Sequence, residues 1–308
     1  MVSQLSTDII IRNFQKEDFP LLGELYQAVT AKENATFWWV GDEANWSNVY
    51  CAFEHGKMIA KGQVSIINTI PPGRSEENKH SIYVNLKTLP ERDNDGELLE
   101  KVYQQLYRRA RKLKETLPDT YQTMLCVGND SSDTENNRFF IQKGYQHLNS
   151  LFQMKRDLRE PIPVVMLDEY FHFSHWKMES AQEEREYLDV EATIWPDAPL
   201  GLERLSDYKS KALWTSMVIR HGDTITASLM AWREDDDGVV EDVFVQETWR
   251  KRGFARFLLT QALDYLQSHE LEAAYLMVET TNKSALALYE SVGFRVDKEE
   301  IRYYTVLR

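Results

Sequence analysis

The chain has 308 residues, 43% of them hydrophobic, 12% aromatic and 28% charged. That balance suits two folded domains at roughly 150 residues each and excludes disordered, collagen-like and disulfide-scaffold classes. A net charge of −13, from 36 Lys and Arg against 49 Asp and Glu, argues against nucleic acid, whose phosphates reward basic surfaces, and leans toward amine-bearing partners.

Met1–Arg12 sets Asp8 beside the short run Ile9-Ile10-Ile11. It lacks the basic start and long apolar stretch of a signal peptide, and no run in the chain approaches the ~20 apolar residues that cross a bilayer. A cytoplasmic protein with no membrane partner is expected. Lys16–Thr30 reads as a helix, followed by the aromatic-rich Thr36–Trp46. Cys51–Phe53 and Met58–Ile67 flank the turn His55-Gly56-Lys57, and Ser81–Leu86 is strand-like. Glu97–Leu113 aligns Leu99, Val102, Leu106, Ala110 and Leu113 on one helical face. Asn137–Gln142 is a short helix pattern closed by Gly144 and Tyr145, and Asn149–Leu158 then alternates as a strand. Two cysteines, Cys51 and Cys126, build no disulfide framework and read as buried thiols in a reducing compartment.

Arg159-Glu160-Pro161-Ile162-Pro163 forces an extended path near the midpoint, and the order of elements then repeats. His172 and His175 lie in a strand-like stretch, where residues three apart face opposite sides. With no CxxC or HExxH pattern, no metal is expected. Glu179–Glu191 is a helix, and Trp195–Leu205 follows as the second aromatic-rich stretch. Trp214–Arg220 and Thr224–Arg233 are strands about His221-Gly222-Asp223. Glu234–Gly238 is an acidic turn and Val239–Val245 a strand. A helix carrying Ala255, Leu258, Leu259, Ala262, Tyr265 and Leu266 on one stripe comes next, then strand Tyr275–Glu279. Leu286–Ser291 closes on Gly293 and Phe294, and Glu300–Leu307 is a final strand. The expectation is a duplicated mixed α/β (α+β) fold, each copy a mostly antiparallel sheet with one parallel joint, flanked by helices. The domains divide as 1–158 and 164–308 about a linker at 159–163.

One segment opposes the charge of the rest. Between strand and helix, Arg250, Lys251, Arg252 and Arg256 crowd around Gly253. A helix N-terminus carries partial positive charge and disfavours cations. The conflict resolves if an anion sits at the turn, held by backbone N–H groups and the basic side chains. A pyrophosphate is the natural candidate.

Arg250-x-x-Gly253-x-Ala255 resembles the Q/R-x-x-G-x-G/A acetyl-CoA signature of the GCN5-related N-acetyltransferase (GNAT) family. Asn282-x-x-Ala285-x-x-Leu288-Tyr289-x-x-x-Gly293-Phe294 is similar to that family's second signature. The resemblance covers Ala212–Arg308 well and the first half in outline. It implies strands Val239–Val245 and Tyr275–Glu279 that splay apart, so that the backbone of Val243, Phe244 and Val245 pairs with a pantetheine arm. Arg250, Lys251, Arg252, Gly253, Phe254 and Ala255, with Arg256 beyond, would cradle the pyrophosphate. Asn282 would touch the cofactor near its thioester, and Tyr289 would face the sulfur as general acid. A phenol titrating near 10 can protonate a more basic centre or steady a thiolate. Glu241 is read on the face shared with Val243 and Val245, placed to take the amine's proton directly or through water. Asp242, on the opposite face, is its rival, and a solvent-facing carboxylate is the plain alternative.

Phe140 and Asp133 stand in the first half where Tyr289 and Asn282 stand in the second, and Asp93 and Asp95 occupy the turn where a pyrophosphate would lie. The first half is thus expected to be a degenerate copy. Trp38, Trp39, Trp46 and Trp195 are either acceptor-site walls or packing residues. The implied activity is direct transfer of an acetyl group from acetyl-CoA to a small-molecule or peptide amine by the second half. The alternatives are a non-catalytic acyl-CoA sensor or use of another acyl group. The charge contrast between the two turns predicts one acetyl-CoA bound per chain; calorimetric titration checks it, and two comparable sites would contradict it.

Overall fold

The computed structural model describes residues 9–32, 35–196 and 199–308; the reading of Met1–Asp8 as no signal segment lies outside them. Two compact units form. The first comprises Met1–Ser150 with Glu300–Arg308, and the second comprises Leu151–Glu299. The break at 159–163 therefore falls inside the second unit, and each unit borrows a strand segment from the far end of the other half's sequence. No helix among the described residues is long and apolar enough to cross a membrane.

The first unit contains β1 (Ile10–Asn13), α1 (Phe19–Thr30), β2 (Val49–Glu54), β3 (Lys57–Asn68), β4 (Lys79–Thr88), α2 (Gly96–Lys114), β5 (Gln122–Asp130), α3 (Thr134–Gln142) and the start of β6 (Gln146–Asp157). Its strands pair in the order β1-β2-β3-β4-β5, antiparallel except for β4 and β5. Glu300–Val306 then adds antiparallel to β5. Lys16–Asp18, read as the start of the first helix, is a 3-10 turn before α1. The apolar stripe of α2 buries Leu98, Leu99, Val102, Leu106 and Ala110 against the sheet. Gly62 permits that approach: a Cβ there would meet Leu106 Cδ1 at 2.7 Å. Cys51 and Cys126 are buried free thiols, both pushed up to about 12 by desolvation.

The second unit repeats the plan with β7 (His172–His175), α4 (Ala181–Ile194), α5 (Gly201–Ser210), β8 (Thr215–His221), β9 (Thr224–Glu234), β10 (Asp237–Val245), α6 (Phe254–Ser268), β11 (Ala273–Glu279), α7 (Lys283–Ser291) and the start of β12 (Arg295–Val306). Its order is β7-β8-β9-β10-β11, parallel only between β10 and β11. Leu151–Asp157 of β6 adds antiparallel to β11 over seven residue pairs. Helix α5 has no counterpart in the sequence reading, which took its first residues as part of an aromatic wall. Helices α6 and α7 cover one sheet face with Leu258, Leu259, Ala262, Leu263, Leu266 and Leu286. Helices α4 and α5 cover the other with Tyr187 and Leu205, packed against Met230, Trp232 and Phe244.

Arg156 ties this unit's borrowed strand to its last helix. The side chain is 2% exposed. Nε donates to Val292 O at 2.9 Å, while the two terminal nitrogens donate to Glu160 Oε2 at 2.8 Å and Pro161 O at 2.8 Å. A buried cation needs such saturation, because an unpaired one costs several kcal/mol. The guanidinium lies against Gly293, whose φ is 92° and whose hypothetical Cβ would come within 2.6 Å of Arg156 Nε. Gly293 is thus required twice, as a left-handed helix terminator and as the floor for Arg156. Gly293→Ala is expected to lose about 2–4 kcal/mol of stability, combining left-handed strain and overpacking, read as a lowered denaturant midpoint at unchanged m.

Candidate active site

The parallel joint opens almost at once. β10 and β11 pair only at Gly238–Ala274 and Val239–Tyr275, so the β11-facing edge of β10 beyond Val239 leaves the ladder. The cause lies on the other edge. β10 runs in register with β9 to Glu241–Met230 and resumes at Phe244–Ser228, which places Asp242 and Val243 opposite Leu229 alone. This β-bulge bends and twists β10 away from its neighbour. Asp242 adopts φ 53° there, a conformation Asp tolerates better than most residues. It is pinned from α4 by the Tyr187 hydroxyl and from the end of that helix by Trp195 Nε1, which donates to Asp242 Oδ1 at 3.0 Å. Burial raises the Asp242 carboxyl above its ordinary value in spite of both donors, and raises the buried Tyr187 phenol well above its own.

The bulge corrects the expected sharing of a face. Cross-strand partners share a face, and Glu241 pairs with Met230 while Val245 pairs with Ala227. Met230 packs in the core under α4 and α5, whereas Ala227, Val243 and Val245 pack with the core under α6. The extra residue shifts the side-chain alternation by one. Glu241 and Val243 therefore project to opposite sides of the sheet.

Two cavities meet in the opening. One, of 500 Å³, is lined by Val243, Phe244 and Val245, by Arg250, Lys251, Gly253, Phe254, Ala255 and Arg256, and by α7 residues. Lys251 at φ 64° and Gly253 at φ 82° are left-handed. Left-handed residues either side of Arg252 turn successive N–H groups toward a common concavity that suits an anion. Gly253 is the N-cap of α6 and supplies no side-chain cap, so the dipole end and first N–H groups of a 15-residue helix point into the same place. Beneath the turn, Phe171 packs edge-on against Trp249 and Phe254 at centroid separations of 5.5 and 4.6 Å. Arg252 is held with its Cζ 5.1 Å from the Trp249 ring centroid.

The second cavity, of 370 Å³, is lined by Glu241, Asp242 and Glu279 from the strands, by Trp195, Leu200, Arg204 and Tyr208, and by Leu151 of the borrowed strand. Tyr289, Asn282, Val243 and Trp195 line both cavities. Tyr289 is 8% exposed, and burial, with a smaller contribution from Glu241, pushes its phenol up to about 12. Asn282 caps α7, its Oδ1 accepting from Ala285 N at 3.1 Å. Trp195 stands at the junction, while Trp39 and Trp46 pack in the first unit with Phe19 and Tyr26. Trp38 is held by its backbone N–H, which donates to Asn85 Oδ1 at 3.2 Å. The sequence reading missed Arg204 and Tyr208, because the helix that carries them was not recognised. It also missed Tyr187, whose helical position is legible but whose partner across the sheet is not. Among the described residues no cluster of His, Cys, Asp or Glu could hold a metal.

The matching place in the first unit is a smaller cavity, of 130 Å³, crossed by the protein's own ion pairs. Lys87 Nζ, 5% exposed in its side chain, donates to Asp133 Oδ2 at 2.6 Å and Asn129 Oδ1 at 3.0 Å, spanning the gap between β4 and the segment after β5. Asp95 caps α2 by accepting from Leu98 N at 2.9 Å, so a fixed carboxylate already occupies the anion position. Asp93 pairs with Lys32 and accepts from Thr88 Oγ1 at 2.8 Å. Phe140 is wholly buried.

The clasp on the bulge generates a graded test. Asp242→Asn keeps tolerance for the left-handed backbone but leaves one of two donors without an acceptor, and should cost about 1–3 kcal/mol. Asp242→Ala loses both acceptors and adds backbone strain, and should cost more. Equilibrium denaturation should rank the parent above the Asn variant, and that above the Ala variant; equal midpoints would show that the clasp does not hold the bulge.

Residues 174–294 match the sequence profile of the Acetyltransferase (GNAT) family. Over 165 residues the chain is 28% identical to mycothiol acetyltransferase of Thermobispora bispora, covering 49% of this chain and 55% of that protein. Over 67 residues it is 36% identical to N-alpha-acetyltransferase 30 of Xenopus laevis, covering 22% and 24%. The chain thus spans about half the length, or less, of these curated relatives. Among solved structures, the fold matches a GCN5-related N-acetyltransferase from Sphaerobacter thermophilus with TM-score 0.79, 19% identity and coverage of 97% and 96%. It also matches a tandem GNAT protein from the clavulanic acid biosynthesis pathway with TM-score 0.69, 12% identity and coverage of 98% and 99%. Residues 174–294 thus match the Acetyltransferase (GNAT) family, in a chain whose fold is similar to that of a tandem GNAT protein.

Proposed function

We propose that the second unit transfers an acetyl group from acetyl-CoA to an amine. The reading is carried by one observation: a groove ending in a basic, uncapped helix N-terminus meets an acid-lined cavity at Tyr289. The groove's donor set suits a pyrophosphate, through N–H groups, Arg250, Lys251 and Arg256, while Arg252 lies over Trp249. The free edge of Val243–Val245 suits the amide-bearing arm of a pantetheine, which would add as a strand does.

The acceptor enters as an ammonium, drawn by the carboxylates of the second cavity. Glu241 takes one proton, directly or through water, which frees the nitrogen lone pair for attack on the thioester carbonyl carbon. Backbone N–H groups of β10 donate to the carbonyl oxygen as charge builds there. The C–S bond then breaks, its electron pair leaves on sulfur, and the second proton of the attacking nitrogen passes to solvent, leaving a neutral amide. Tyr289 remains protonated across the neutral range, its pKa standing near 12. A thiol titrates near 8.5, so full proton transfer from so weak an acid to the thiolate is uphill. Tyr289 therefore acts by donating a hydrogen bond to the departing sulfur, and the thiolate equilibrates with solvent.

The Lys87–Asp133 bridge and the Asp95 cap support a first unit that does not take the same ligand, which leaves one active unit per chain. Tyr289→Phe should keep acetyl-CoA affinity within a few-fold while turnover falls by roughly 10² or more. Thiol release from acetyl-CoA over an amine panel, with calorimetry for the cofactor, measures both. Parental turnover in the variant would remove Tyr289 from the chemistry. Cofactor binding without thiol release from any amine, in parent and variant alike, would favour a sensor over an enzyme.

A further inference from the structure

Four side chains line both cavities of the second unit: Val243, Asn282, Tyr289 and Trp195. They frame the passage from one cavity to the other. Asn282 caps α7 and Tyr289 lies within it, while Val243 packs with the core under α6. Trp195 alone of the four comes from the end of α4, which covers the opposite face of the sheet. The helix stops there: the Trp195 backbone turns to ψ 62°, while its N–H still donates to Glu191 O at 2.9 Å. The indole is held at its far edge as well, where Nε1 donates to Asp242 Oδ1 at 3.0 Å. That carboxylate is fixed independently by the buried Tyr187 hydroxyl. With 43% of its surface exposed, Trp195 is a wall of the opening rather than core packing, and it is a wall tied at both ends.

In the acetyl-transfer reading the sulfur lies at Tyr289, so the carbons of the acyl group lie in the passage that these side chains frame. An acetyl group ends after one methyl. A longer chain must run on past the indole or push it aside, and pushing it aside breaks a hydrogen bond to a buried carboxylate. Packed walls of this kind yield little to an added methylene. We propose that Trp195 sets the acyl length that the site accepts, admitting acetyl-CoA and excluding butyryl-CoA and longer donors. This rests on the acetyltransferase reading above and narrows its donor. The transfer is otherwise unchanged: the acyl C–S bond breaks, one N–C bond forms, and the amine nitrogen gives one proton to Glu241 and a second to solvent.

The test is thiol release from acetyl-, propionyl- and butyryl-CoA by the full chain, with the amine of the panel that turns over acetyl-CoA fastest. One methylene against a rigid wall changes kcat/KM by roughly tenfold or more, so the parent should use butyryl-CoA roughly 10–100-fold less well than acetyl-CoA. Trp195→Ala should bring butyryl-CoA to within about threefold of acetyl-CoA, and Trp195→Phe, a smaller wall without the hydrogen bond, should fall between. Affinity for free CoA, read by calorimetry, should stay within a few-fold in both variants, because the basic turn and the β10 edge lie on other segments. Tyr187→Phe removes the other donor from Asp242 and leaves the indole, and should keep the parental order of donors even where its rates fall. Equal use of butyryl- and acetyl-CoA by the parent overturns the proposal. So does a Trp195 variant that binds CoA and keeps the parental order. The same loss of order in Tyr187→Phe would place the limit in the bulge instead, and loss of CoA binding in both Trp195 variants would make Trp195 a structural residue; either result overturns the proposal. Thiol release from none of the donors, with CoA bound, would remove the acetyltransferase reading and this proposal with it, whereas turnover with an unaltered donor preference removes the proposal alone.

Discussion

The site depends on the early divergence of two parallel strands. β10 and β11 share only two residue pairs, and a sheet rarely leaves ladder edges unpaired in its interior, because each unmet N–H or C=O costs free energy once water is excluded. The divergence is held by one extra residue at Asp242 and Val243, and the extra residue by two donors closing on the Asp242 carboxylate. Everything proposed for the site follows from that wedge. It frees the backbone edge of Val243–Val245, opens the two cavities to one another, and turns Glu241 toward the α4 and α5 side while Val243 faces α6.

The two units meet the same electrostatic problem with different side chains. Both contain a parallel pair followed by a helix whose N-terminus points at the gap. In the second unit that helix begins after a basic turn with no side-chain cap, which leaves its dipole without an internal carboxylate at that position. In the first unit Asp95 caps the helix and Lys87 bridges the gap to Asp133, so internal groups meet the same electrostatic demand. The difference amounts to a few side chains of opposite charge on nearly identical topology.

Much of this was legible in the chain itself. Hydrophobic spacing marked α2 and α6, whose buried faces include Leu99, Val102, Leu106 and Ala110, and Leu258, Leu259, Ala262 and Leu266, as read from periodicity, because a helix that covers a sheet must carry its apolar residues every three to four positions. Alternation with turn residues marked the two hairpins, and Gly144 and Gly293 marked helix ends that adopt φ 84° and 92°. Each of these is a local rule, satisfied by residues within one or two turns of each other. The basic turn was legible for the same reason, as a cluster of like charges at a helix start in an acidic protein.

Other features are set by contacts between residues far apart in sequence, and only the tertiary structure decided them. Strict alternation put Glu241 on the face of Val243 and Val245; the bulge, held by Tyr187 some fifty positions earlier, reverses it. The proline pair at 161–163 suggested a domain boundary, yet the compact units divide at Leu151 and Glu300. The pairing of Leu151–Asp157 with β11, and of Glu300–Val306 with β5, is settled by strands over a hundred residues away. Gly293 could be read as a helix terminator, but its second role, as the floor for Arg156, depends on a strand that arrives from the other half of the sequence. A sequence records its local periods directly. Which distant segment completes a sheet edge or covers a buried charge depends on the summed packing of the whole unit, which no short window contains.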